Sequence, residues 1–466
     1  FGSRQCSRAY FSPVHGASAG CLVTPCCRPE TDMRCVRLFH VLTLVWASPT
    51  FSEAEVRLNY GIIFDAGSSG SRIHVYTWRH GGDAGEFELV EDDLVKVKPG
   101  LSAFKDDPSK AGASLSTLLA HAQGKIPQEQ QASTPVFLMA TAGLRFVGET
   151  TAAKILQSVS DTLLASPFLF RQGWAYIMPG YDEGLFGWVA INYLLGALHN
   201  ATLPTSGVID LGGGSVQLVF TEPLEAVVPP EYAGSVAFGG REHHLYIKSH
   251  LGFGLDRARD RVAERLLSQG STSAGAIEHP CLPLGLSIDI KVGSGKQPFA
   301  GIGSYDACAA LYRNLFDKGA DCSVPPCSFN GAHQPELPSA IFGFSYLFDR
   351  TRAIGLLDRD VQMFGTQQMT LAEIQEASVE LCSSEPNLLR ERFASCEDAD
   401  KWANFCGDTV YMTVLLEYGF GISRSAPLTM GNKVAGVELV WTLGAIIAKA
   451  AELPGILADA SRQTEL

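Results

Sequence analysis

A chain of 466 residues is too long for one simple core, so two domains or lobes are expected. Hydrophobic residues make up 46% and charged residues 18%, a globular composition rather than a disordered one. The formal net charge of −13 argues against a nucleic-acid partner, since a phosphate backbone must be met by Lys and Arg.

The first 55 residues differ from the rest. Residues 1–32 carry no helix or strand period and read as a leader outside the fold. Met33 then opens "MRCVRLFHVLTLVWASPTFSEA", with two arginines, an apolar stretch and small residues suited to cleavage. That is the pattern of a secretory signal peptide over residues 33–55. Its apolar part, Leu38 to Ala47, is well short of the ~20 residues that span a bilayer. A retained Golgi anchor is the rival reading.

Beyond it, apolar runs predict strands at 60–65, 73–78, 94–97, 135–140, 174–178, 207–210 and 216–220. Helical periods predict 109–122, 150–165, 184–198, 255–268, 304–316, 370–382, 408–417 and 434–451. Thr370 followed by Glu373 is a capping box that starts one of these helices. Strands and helices interleave, so the class is α/β. The last apolar stretch, Val437 to Ala448, contains Glu438 and Trp441 and reads as a core helix, with no membrane span expected. Asn200-Ala201-Thr202 is a glycosylation sequon. Seven cysteines follow residue 56, without the histidine spacing of a zinc site, and read as disulfides of an oxidising compartment. Cys322 pairs plausibly with Cys327 and Cys281 with Cys308, leaving one of Cys382, Cys396 and Cys406 unpaired.

Two stretches carry the chemistry. "GIIFDAGSSGSRIHVY" from Gly61 and "GVIDLGGGSVQLVF" from Gly207 share one pattern: strand, aspartate, Gly/Ser turn, returning strand. The aspartates lie 145 residues apart (210 − 65), about one lobe length. A phosphate chain needs donors that approach closely, and backbone N–H groups do so only where side chains are absent. Ser68, Ser69 and Gly70 in the first turn and Gly212, Gly213, Gly214 and Ser215 in the second are therefore the expected phosphate-binding residues. Asp65 and Asp210 cannot bind phosphate directly, because anions repel. Their expected task is to hold a divalent cation, Mg²⁺ or Ca²⁺, through water.

The paired hairpins resemble the actin, sugar-kinase and heat-shock ATPase fold, with two RNase-H-like lobes around a cleft. "GSGK" at 293–296 is no Walker loop, since the earlier glycine is missing and Gln297 follows. "REHHLYIKSH" at 241–250 invites a metal reading through His243, His244 and His250, but no further ligand completes it and a surface element is expected.

Three further segments, "MATAGLR" at 139–145, "GYDEGLFGWVAINYLLG" at 180–196 and "ELVWTLGAI" at 438–446, narrow the resemblance. With the two hairpins they are similar, in order, to the five conserved regions of the apyrase and ecto-nucleoside triphosphate diphosphohydrolase family. "KVKPGLSAF" at 96–104 and "VYMTVLLEYGFGI" at 410–422 look especially like plant apyrases, and Gly70 stands where cell-surface members have histidine. The resemblance implies Glu183 as the base that deprotonates the attacking water, with Asp182 its local rival. It implies Ser215 and Gln217 as holders of that water and Thr141 as a neighbour of the metal and the transferred phosphoryl. Tyr346 and Phe420 fall where the family sandwiches the nucleobase. Arg72 and Arg145 follow the phosphate turns, where reaching phosphate oxygens and salt bridging to the hinge are both open.

The expected architecture is lobe I at 56–179 plus 432–466 and lobe II at 180–431. The expected activity is divalent-metal-dependent removal of terminal phosphate from nucleoside tri- and diphosphates. A Golgi-type diphosphatase preferring GDP or UDP is the nearest rival, and a non-catalytic nucleotide- or glycan-binding protein is the more distant one. The expected address is the secretory pathway, either its lumen or outside the cell.

Overall fold

The computed structural model describes residues 58–463, apart from 68–69, 82–85, 225, 271, 274, 359–360, 362–364 and 395–398. The leader, the signal segment, Ser68, Ser69 and Cys396 lie outside the described residues.

Two sheets repeat one topology. The first is five-stranded, in the order β3-β2-β1-β4-β5. Its strands are β1 (Asn59–Ala66), β2 (Ser71–Gly81), β3 (Glu86–Val97), β4 (Val136–Ala140) and β5 (Ala175–Ile177). β1, β2 and β3 pair antiparallel, whereas β4 lies parallel to β1 and β5 parallel to β4. In the second sheet β6 (Gly207–Leu211) takes the place of β1 and β7 (Ser215–Thr221) that of β2, with β8 (Ala233–Phe238) at the edge beside β9 (Arg241–Leu251). β6 and β7 are antiparallel, as are β7 and β9. A small sheet follows, made of β10 (Thr272–Ser273), β11 (Ala276–His279), β12 (Ser287–Val292) and β13 (Gly295–Gly301). β14 (Ile341–Ser345) is parallel to β6 on one side and to β16 (Leu428–Gly431) on the other, and β15 (Thr366–Met369) closes that edge. The run β9-β7-β6-β14-β16 thus matches β3-β2-β1-β4-β5 strand for strand.

Continuous apolar runs make the middle strands. Every residue of β4 and β6 is buried, which requires cover on both faces. α1 (Ser116–Lys125) and α2 (Glu149–Leu164) cover one face of the first sheet, where Leu118, Ile155 and Val159 join Ile62 and Leu138. α3 (Gly180–Leu194), together with the final helix, packs against residues of both sheets in a second core that holds Trp78, Met139, Trp188, Val219, Phe344 and Ile446. A third and larger core unites α4 (Leu255–Gln269), α5 (Tyr305–Arg313), α6 (Tyr346–Ala353), α7 (Leu371–Ser383) and α8 (Phe405–Val414) behind the second sheet. The final helix is α9 (Trp441–Gln463), and a Cβ on its Gly444 would stand 1.9 Å from Phe186 O, so the absence of a side chain sets the α3–α9 crossing.

Several expectations are corrected. The period at 109–122 resolves into 3₁₀ turns at Pro108–Lys110 and Ala113–Leu115 before α1, because Pro108 lacks an N–H and Gly112 must touch Ser158 and Thr162. The helix expected from 434 starts at Trp441; before it Lys433–Val434 and Val437–Glu438 form a strand pair turning at Ala435 and Gly436, both at positive φ. The "GSGK" segment is the β12–β13 hairpin turn. "REHHLYIKSH" lies in β9, where His243 and His250 are buried rather than on the surface. The capping box stands as expected, with Thr370 N donating to Glu373 Oε2 at 2.7 Å. Disulfides join Cys281 to Cys308, Cys322 to Cys327 and Cys382 to Cys406. Among the described residues no helix is long and apolar enough to cross a membrane.

Candidate active site

Asp65 is the next-to-last residue of β1, opposite Arg72 on β2 and beside Met139 on β4. Arg72 Nη1 donates to Asp65 Oδ2 at 2.6 Å, while Oδ1 is buried with no protein partner. The turn is tight, with Gly67 N donating to Gly70 O at 3.0 Å. A Cβ on Gly70 would stand 2.8 Å from Val97 O, so this position tolerates nothing larger.

Asp210 holds the equivalent place in β6, opposite Gln217 and beside Phe344. The carbonyls of Gly212, Gly213 and Gly214 accept from Leu255 N, Arg257 N and Gly252 N at 2.9, 3.1 and 2.8 Å. With those oxygens held from behind, an anion at the front of the loop would meet N–H groups rather than carbonyls. The loop is wedged on both sides: a Cβ on Gly254 would lie 2.4 Å from Gly213 C, and one on Gly214 would lie 2.6 Å from Ala142 Cβ.

Glu183 sits in the first turn of α3, flanked by Gly180 and Gly184. A Cβ on Gly184 would stand 2.9 Å from Val219, and one on Gly180 would stand 2.2 Å from Ser249 Oγ. The two glycines therefore let the helix start lie flush on β7 and β9, which delivers Glu183 to Gln217. Glu183 Oε2 accepts from Arg145 Nη2 at 2.8 Å and from Gln217 Nε2 at 3.2 Å. Gln217 Nε2 also reaches Ser215 Oγ at 2.8 Å. Arg145 is anchored in turn on Met178 O at 2.6 Å. The helix terminus favours an ionised carboxylate, but burial outweighs it and raises the Glu183 pKa; Arg145 opposes the rise and Asp65 adds to it. Asp182 is half-buried and feels the opposite charge of Lys449 on α9.

The three carboxylates share one electrostatic neighbourhood. Burial first, then the charge of Glu183, pushes Asp210 up to about 7, with Asp65 adding and Ser345 and Arg72 opposing. Asp210 Oδ1, like Asp65 Oδ1, is buried without a protein partner. Two orphaned carboxylate oxygens amid like charge fit a hard divalent cation that keeps most of its water ligands. Among the described residues no three His, Cys, Asp or Glu side chains stand close enough to enclose an ion directly. Thr141 follows β4 at the N-cap position of the short helix Ala142–Arg145, with no side-chain capping bond and its N–H bonded to Ala66 O at 3.2 Å. Ser345, the last residue of β14, stands likewise at the N-cap of α6, at φ 56°.

The two aromatics expected around the base are placed differently from each other. Tyr346 opens α6, half-buried, with its hydroxyl donating to Asp256 Oδ2 at 3.2 Å. The Arg350 guanidinium lies 4.7 Å over its ring and is itself paired with buried Asp408 at 2.6 Å, so one ring face is already occupied. Phe420 is buried 5.8 Å from Phe329 and 5.7 Å from His250, and among the described residues no ring contact joins it to Tyr346. His250 stacks on Phe329 at 4.4 Å, and burial lowers it to about 3, a neutral core imidazole.

Two participants are absent from the sequence expectations: Ser345, which meets Asp210, and Ser249, which lies 3.2 Å from Gln217 Nε2. Arg145, for which two readings stand open in the sequence, pairs with Glu183. The available signal was the repeat itself: β14 mirrors β4, and each strand runs straight into a helix whose N-cap is Thr141 in one copy and Ser345 in the other.

The GDA1/CD39 (nucleoside phosphatase) family profile matches residues 52–457, and the chain belongs to that family. A guanosine-diphosphatase of Saccharomyces cerevisiae is 34% identical over 432 residues, covering 85% of this chain and 81% of the relative. The human nucleoside diphosphate phosphatase ENTPD5 is 33% identical over 428 residues, covering 88% and 93%. A nucleoside triphosphate hydrolase structure from Neospora caninum superposes with TM-score 0.58 at 15% identity, over 84% of this chain and 92% of that one, a likeness of fold.

Proposed function

We propose that this chain hydrolyses the terminal phosphate of nucleoside di- and triphosphates, with Glu183 as the base. The observation that carries the reading is the Glu183 carboxylate held between Arg145 and Gln217, beside Asp65 and Asp210. Glu183 would take a proton from a water held by Ser215 and Gln217. Gly70 and the Gly212–Gly214 turn would receive the phosphate oxygens, joined by the hydroxyls of Ser68, Ser69 and Ser215, with Thr141 beside the transferred phosphoryl. Asp65 and Asp210 would hold Mg²⁺ or Ca²⁺ through its waters, and the ion supplies positive charge against the phosphate. Tyr346 would stack on the base with the face away from Arg350, and Phe420, in the core beside Phe329, would support that region from behind.

Within this reading the diphosphate-selective form is favoured, since the relatives carry the names guanosine-diphosphatase and nucleoside diphosphate phosphatase. GDP and UDP are then the preferred substrates. Three disulfides and an exposed sequon at Asn200 support a secretory-pathway address. Lobe I at 56–179 plus 432–466 would rotate against lobe II at 180–431 during access and release.

Phosphate release from ATP, ADP, GDP and UDP, with and without EDTA, tests the reading. Glu183→Gln is expected to lower kcat by about 10³-fold or more while GDP binding persists. Undiminished turnover in that variant removes Glu183 from its role.

A further inference from the structure

Gln217 is held in a manner that its own strand does not explain. The last torsion of a glutamine is soft and roughly two-fold, so packing alone leaves the amide plane loosely set. Here three oxygens surround Nε2, each delivered by a different element. Ser215 Oγ comes from two residues earlier on β7 at 2.8 Å, Glu183 Oε2 from α3 at 3.2 Å, and Ser249 Oγ from β9 at 3.2 Å. Ser249 is the direct cross-strand partner of Gln217, so the two side chains leave the sheet on one face. Its place is enforced sterically as well. Any side chain at residue 180 would strike it, since a Cβ there stands 2.2 Å from Ser249 Oγ and 2.6 Å from Ser249 Cβ. Gln217 Oε1, on the far side of the amide, is buried with no protein partner. The two N–H donors of the amide are shared among these three oxygens, an arrangement that sets which end of the amide meets Glu183 and where its carbonyl points.

We infer that Ser249 is a positioning residue for catalysis: it orients the Gln217 amide against Glu183 and does not touch the substrate. The inference rests on Glu183 and Gln217 acting in hydrolysis as proposed above. It assigns a task to β9, the strand whose His243 and His250 are core residues. Losing the Ser249 acceptor leaves Gln217 held by Ser215 and Glu183 alone, and the amide regains part of its swing.

The test uses the full chain with GDP and Mg²⁺. Ser249→Ala is expected to lower kcat about 10-fold, with KM within about threefold and the thermal melt unmoved. Ser249→Cys keeps the volume but replaces a good acceptor with a poor one, so it gives the same loss even if the alanine variant fails to fold. Ser249→Thr keeps the hydroxyl and returns most of kcat. Wild-type kcat in the Ala and Cys variants overturns the inference, and so does a loss that Thr leaves unrestored or that falls on KM instead. Failure of the underlying reading looks different: Glu183→Gln would then turn over GDP like the wild type.

Discussion

Glu183 meets two opposed demands. A base must be ionised to accept a proton, yet this one is buried, which favours its neutral form. Arg145 relieves part of that cost by donating at 2.8 Å. Removing the guanidinium raises the carboxyl pKa further, so the base stays protonated to higher pH. In Arg145→Ala the acidic limb of the kcat/KM profile for GDP is therefore expected to move to higher pH, whereas Arg145→Lys keeps the charge and moves it less. A pH series on both variants reads the difference. A second residue acts only through its lack of a side chain. Gly254→Ala drives a Cβ to within 2.4 Å of the Gly213 backbone, and the neighbouring backbone cannot yield as a flexible side chain would. The Gly212–Gly214 turn must shift, so under the proposed function KM for GDP is expected to rise by about 10-fold or more.

At the scale of elements, the two longer disulfides stand side by side, since a Cβ on Gly407 would lie 3.1 Å from Cys281 Cβ while Cys406 pairs with Cys382. They close loops of 27 and 24 residues around α5, α7 and α8. Each cross-link of that length contributes about 3 kcal/mol, largely by restricting the unfolded chain. Cys382→Ala with Cys406→Ala is expected to lower unfolding stability by about that amount, measured by denaturant titration under oxidising conditions. The legibility of such elements was uneven, for physical reasons. The strands carrying Asp65 and Asp210 are buried on both faces and wrote themselves as unbroken apolar runs. In β12, "SIDIKV", Ile288, Ile290 and Val292 alternate with Ser, Asp and Lys; this weak period-two signal in a short strand was missed. His243 and His250 misled because histidine reads as polar, whereas here the imidazoles fill a core. The two glycine turns were legible as Gly/Ser runs after an aspartate, and Glu183 was singled out by the family resemblance; Ser249 was not legible, because only the β7–β9 register brings it to Gln217.

Across the whole molecule, the carboxylate cluster links pH, metal and stability. Asp210 ionises near 3.8 in an unfolded chain and at about 7 in the fold. Between those values the folded state holds a proton that the unfolded state has lost, so stability falls as pH rises through this window. Under the proposed function, a divalent ion held at Asp210 would replace that proton as the compensating charge. The metal-free protein is therefore expected to be less stable at pH 8 than at pH 5.5 through this group, and Mg²⁺ should raise the melting temperature more at pH 8. Asp210→Asn should flatten both effects, and calorimetry with and without EDTA measures them. A further consequence follows from the shared strand order of the two sheets. Each supplies one aspartate and one glycine-bearing turn, and under the proposed function the two turns would have to close on one phosphate chain together. Split the polypeptide between its two copies of the motif, and each fragment would keep its β-sheet yet lack the opposing anion cradle, so hydrolysis would return only when the fragments reassociate.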